Sequence, residues 1–136
     1  MSNRLKYLSK LKEHFHELRN EVDKYWRRYS LICLLCDDII DSLSKDMLKC
    51  TVYEMAREVC KDLLFKGRDI LVLAASVIYL AAQKENIRIT QEDISNEVGV
   101  PRSALRKNIT LIGKCLIQQH YITRDDLWTP YSIWKS

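Results

Sequence analysis

The chain has 136 residues, 47% apolar and 29% charged, with a formal net charge of +4 and a pI near 8.8. That is one globular domain with a modest core, and its mild basicity suits a nucleic-acid partner without requiring one, since dedicated DNA-binding domains sit above about pI 9. Three glycines and two prolines, none before Gly67, are too few breakers for a turn-rich sheet protein and predict helices.

From Leu5 to Tyr29 the apolar residues Leu8, Leu11, Phe15, Leu18, Val22, Tyr25 and Tyr29 recur at alternating steps of three and four. The spacing predicts one amphipathic helix. Such a helix either packs on the body or acts as a short coiled-coil arm, where Leu11, Phe15, Leu18 and Val22 would grip a partner or a second copy of the chain. His14 and His16 fall on different faces of it and are not expected to share a metal.

The segment "YSLICLLCDDIIDSLSKDMLK" predicts a second, largely buried helix. Within it Cys33 and Cys36 stand one turn apart, but no second Cys or His pair follows at zinc-ribbon spacing. The odd count of five cysteines and an N-terminus without an apolar stretch favour reduced thiols in an intracellular setting. That setting is the cytoplasm in an archaeon or its virus and the nucleus in a eukaryote. No metal or other cofactor is expected. Asp37, Asp38 and Asp41 read as a solvated or salt-bridged face.

A third helix is expected from "TVYEMAREVCKDLLFKG", with Thr51 and Glu54 at capping-box spacing and Gly67 as its stop. Asp69 can cap a fourth, "ILVLAASVIYLAAQKE", which is apolar nearly all round and belongs at the centre of a bundle. Its apolar run, Ile70 to Ala82, is shorter than the roughly 20 residues that a bilayer requires.

The stretch "TQEDISNEVGVPRSALRKNITLIGK" has the form of a device for reading DNA. Thr90 caps a short helix with Asp93 at the box position, Gly99 turns the chain, and a longer helix follows from about Pro101 or Ser103 to about Ile117. Leu105, Ile109, Ile112 and Leu116 share one arc of that helix. The opposite arc carries Ser103, Arg106, Lys107, Thr110 and Lys114, with Arg102 at its edge, and no acid lies between Pro101 and Gln119. A helix in the major groove meets phosphates on both sides, so an acid-free basic face lowers the cost of insertion. An arginine near its start can bond guanine bidentately. Arg102, Arg106 and Lys107 are the leading contact candidates, with Ser103, Thr110 and Lys114 next. A helical hairpin with a solvated basic face is the plainer alternative.

The end, "HYITRDDLWTPYSIWKS", is aromatic; Tyr121, Trp128, Tyr131 and Trp134 either dock on the bundle or form a partner site, with Trp128 and Trp134 the candidates. No phosphate-cradling glycine loop or nucleophile elbow occurs, and catalysis is not expected.

The run from Phe65 to Lys114 resembles a cyclin-like repeat of the transcription factor B family, archaeal TFB and eukaryotic TFIIB. The resemblance rests on Gly67-Arg68, Ala74-Ala75, Tyr79 with Ala81, Glu85, Thr90-Gln91, Ile94 and Gly99-Val100, at preserved spacing. It implies an all-α, cyclin-like five-helix bundle whose last two helices form a helix-turn-helix that reads promoter DNA. The family's contact pattern falls on Ser103, Ala104 and Arg106; the first two depart from the valine and threonine often found there. It also implies the TATA-binding protein or RNA polymerase as partners. One repeat without a zinc-ribbon pattern suggests a specialised paralogue, a viral regulator or a separately expressed fragment. The expected organisation is an N-terminal helical arm over 1–29, a cyclin-like domain over 30–118 with its helix-turn-helix at 90–117, and a tail over 119–136. The expected function is a DNA-binding transcription factor, or else a cyclin-like adaptor that binds a transcription or cell-cycle protein without touching DNA.

Overall fold

The structure, a computed structural model, describes residues 3–21, 23–61 and 68–122. Among these the protein is all-helical, with six α-helices and one 3-10 turn: α1 (Arg4–Glu17), α2 (Lys24–Leu43), the turn Asp46–Leu48, α3 (Lys49–Lys61), α4 (Ile70–Lys84), α5 (Gln91–Val98) and α6 (Arg102–Gln118). Val22, Gly67, Trp128, Tyr131 and Trp134 lie outside the described residues.

α4 is the axis of the bundle. Asp69 caps it, accepting the Leu71 amide at 2.9 Å, and every residue from Leu71 to Gln83 is buried. The other five helices all pack on it. Small side chains at Ala74, Ala75, Ser76, Ala81 and Ala82 let those neighbours come close, as a helix apolar on all sides requires. No described helix is long and apolar enough to cross a membrane.

The single helix expected over Leu5–Tyr29 is two helices. α1 stops at Glu17, and Asp23 starts α2 by accepting the Trp26 amide at 3.0 Å. The two then pack against each other, and α2 runs through the expected boundary at residue 29. The residue that anchors α1 is Tyr7, 0% exposed, whose hydroxyl donates to Glu97 at 2.8 Å. Leu11 packs on the core and Leu18 is half-buried, whereas Phe15 is exposed. His14 meets Asp38 at 2.7 Å and ties α1 to α2. Asp37 accepts the Tyr53 hydroxyl and Asp41 pairs with Lys49 at 3.0 Å, so the three aspartates serve separate ties.

A second correction concerns Thr51 and Glu54. α3 begins two residues before Thr51, directly from the 3-10 turn, so no cap position is left at Thr51. Its hydroxyl donates instead to Glu85 at the end of α4, at 2.6 Å, and Glu54 accepts the Tyr121 hydroxyl at 3.0 Å. The cysteines are free; Cys36 is buried with its thiol toward the Ala74 carbonyl, and burial pushes the Cys33 thiol up to about 11. Among the described residues no three His, Cys, Asp or Glu side chains cluster as metal ligands would.

Candidate nucleic-acid interface

The α5–α6 pair is built from local signals that agree with one another. Thr90 Oγ1 accepts the Asp93 amide at 3.0 Å while Asp93 accepts the Thr90 amide at 3.1 Å, a reciprocal capping box. Gly99 ends α5 in the left-handed region at φ 78°, where a side chain would be strained, and its amide bonds the Ser95 carbonyl. Ser95, itself buried, donates to the Val100 carbonyl at 2.6 Å across the turn. Val100 is buried behind it. Pro101 sits at the N-cap of α6, one position before the helical turn expected for it, so Arg102 is the first helical residue.

The inward face of α6 is buried at Leu105, Ile109, Ile112 and Leu116, together with Asn108, Gly113 and Cys115. The outward face presents Arg102, Ser103, Arg106 and Lys107 to solvent, with Thr110 and Lys114 half-buried beyond them. The structure therefore gathers all six candidates on one helix. Thr110 is partly committed, because its hydroxyl donates to the Arg106 carbonyl at 3.0 Å. Ala104 is half-buried at the edge of the core, leaving Ser103 and Arg106 as the outward members of the expected contact set.

Two features favour an anion at the start of α6. Among the described residues no side chain caps α6 at Pro101, which leaves the positive end of the helix dipole without a capping acceptor there. A recess beside it is lined by Arg4, Arg68, Pro101, Ala104 and Lys107. Asp69 tempers that charge, lying 3.6 Å from Arg4. Arg4 comes from the far end of the chain, and nothing in its own surroundings in the sequence signals this position; only the fold does. Asn108 also lines the recess, donating to the Ala104 carbonyl while its buried amide oxygen has no hydrogen-bond partner among the described residues.

The family model for the transcription factor TFIIB repeat matches residues 28–114, more than half of the chain. The chain belongs to the TFIIB-repeat family. No curated protein and no solved structure matches it. The TFIIB repeat thus takes in most of α2, all of α3, α4 and α5, and α6 as far as Lys114. α1 and the opening turn of α2 precede it. The repeat is cyclin-like, in keeping with the all-helical fold of the described residues, and its family is one of transcription factors.

Proposed function

We propose that this TFIIB-repeat protein is a transcription factor or regulator that reads promoter DNA, using α5 and α6 as a helix-turn-helix with α6 in the major groove. The observation that carries this reading is the division of α6: Leu105, Ile109, Ile112 and Leu116 are buried, while Arg102, Ser103, Arg106 and Lys107 are exposed on an acid-free face. Phosphate contacts from Arg102, Lys107 and Lys114 supply most of the affinity, and Arg106 supplies base discrimination. The first-turn amides of α6 and the cations of the adjoining recess add to the attraction for a phosphate at that end. The TATA-binding protein or RNA polymerase would hold the domain beside its site, since a lone domain of this size gains specificity from a neighbour or a second copy.

The test is fluorescence anisotropy on an AT-rich promoter duplex and a scrambled duplex across a salt series. The expected result is tighter binding to the promoter and affinity that falls steeply with salt. No binding at low salt would overturn the reading in favour of a protein-interaction adaptor.

A further inference from the structure

The junction of α1 and α2 exposes aromatic rings of both helices. Phe15 is 52% exposed, Trp26 51% and Tyr25 38%. The rings are ordered against one another: Tyr25 and Tyr29 lie nearly parallel with centroids 6.5 Å apart, and Trp26 is 5.6 Å from Tyr29. The Arg27 guanidinium sits over the Phe15 ring at 5.9 Å. The Tyr25 hydroxyl donates to the Arg57 carbonyl at 3.3 Å and fixes the cluster to α3. Large rings held in water in a fixed arrangement mark a surface made for contact.

Charge narrows what would cover it. Lys24, Arg27 and Arg57 flank the rings. The acids of this region are engaged locally: Asp23 caps α2, Glu21 accepts the Asp23 amide at 3.3 Å, and Glu58 pairs with Lys61 at 3.3 Å. Trp, Tyr and Arg together are the side chains that concentrate binding energy at protein interfaces. An occupant that satisfies both the rings and the surrounding cations carries carboxylates beside apolar side chains.

Position gives a further argument. Phe15, Tyr25 and Trp26 precede the matched repeat, which begins at residue 28, so they belong to an addition to the family unit and not to its core. Along α1, Phe15 stands about 16 Å from Arg4 at the α6 recess, from the rise of a helix. A partner seated on the tip leaves the exposed face of α6 open.

We propose that the α1–α2 tip is a docking surface for an acidic polypeptide segment bearing aromatic or large aliphatic side chains. The probe is a fluorescein-labelled 15-residue peptide alternating Asp or Glu with Leu or Phe, with a control in which lysine replaces the acids. Full-length protein should bind the acidic peptide saturably and more weakly as salt rises. Trp26→Ala should weaken binding at least tenfold and Phe15→Ala several-fold, with circular dichroism unchanged because both rings are half in solvent. Arg106→Ala should leave it intact. Absence of saturable binding, binding indifferent to Trp26→Ala, or equal binding of the lysine peptide overturns the proposal. So does Trp26-dependent binding of oligo(dT), which would make the tip a base-stacking platform. Self-association abolished by Trp26→Ala would assign the face to a second copy. Shifts of the Trp26 indole resonance caused by Trp128→Ala, with no peptide present, would assign it to the chain's own tail.

Discussion

α6 and the segment from Leu5 to Tyr29 carry the same kind of apolar periodicity, yet only α6 buries the residues that its period names. On α6 the four periodic residues are all in the core and the basic residues face out. On the N-terminal segment the buried anchor is Tyr7, absent from the stripe, while Phe15 and Tyr25, both in it, stay exposed. The difference lies in punctuation. Gly99 and Pro101 announce where α6 begins, and a period counted from a known start keeps its phase. Between Glu17 and Lys24 neither Gly nor Pro marks the break. Two amphipathic helices joined across six residues then imitate one long helix.

The comparison can be broken by measuring what each face contributes. The largest effect is expected at Ile109→Ala, a loss of about 2–5 kcal/mol in urea unfolding, because a fully packed side chain leaves a cavity. A loss below about 1 kcal/mol would mean that α6 is not anchored as described. Arg106→Ala should cost about 1–3 kcal/mol of discrimination between promoter and scrambled DNA, read by anisotropy, while Lys114→Ala weakens both duplexes evenly. Equal losses on both duplexes from Arg106→Ala would remove base reading from that residue. Ser95→Ala leaves the Val100 carbonyl without its buried donor and should destabilise the protein by about 1–3 kcal/mol, seen as a lower Tm.

A smaller effect belongs to Tyr7. Burial first, then the Glu97 carboxylate, pushes its pKa up to about 12, against about 10 in the unfolded chain. The folded protein therefore holds a proton that the unfolded chain releases, and stability is full below about pH 10 and declines as pH rises toward 12. Tyr7→Phe should cost about 1 kcal/mol at neutral pH and flatten that decline, measured as urea midpoints from pH 8 to 12. An unchanged slope would mean that the other tyrosines whose pKa burial pushes up, Tyr29, Tyr53 and Tyr121 among them, account for it. The smallest effect is expected at Phe15→Ala, within about 0.5 kcal/mol in unfolding. A loss as large as that of Ile109→Ala would show that the tip is packed after all, and the contrast between the two segments would disappear.

Much of the α5–α6 unit was legible because its information is local. Thr90 and Asp93, Gly99 and Val100 are neighbours in the chain, and each constrains the backbone beside it. The role of Asp69 as a cap was legible for the same reason. What escaped depends on distance along the chain. Thr51 looked like a cap until the 3-10 turn placed α3 ahead of it and the end of α4 brought Glu85 within reach. Arg4 is invisible as a neighbour of Lys107 until α1 is docked. The family resemblance from Phe65 to Lys114 located the repeat's second half, and the match extends it back through α3 and most of α2, where individual motifs were sparse.

The bond between Tyr7 and Glu97 joins residues 90 apart in sequence. During synthesis at roughly 5–20 residues per second, about 5–18 seconds pass between the appearance of one partner and of the other. The Tyr7 hydroxyl therefore waits, after α1 itself has been made, until α5 exists before it finds the carboxylate that holds it in the finished fold.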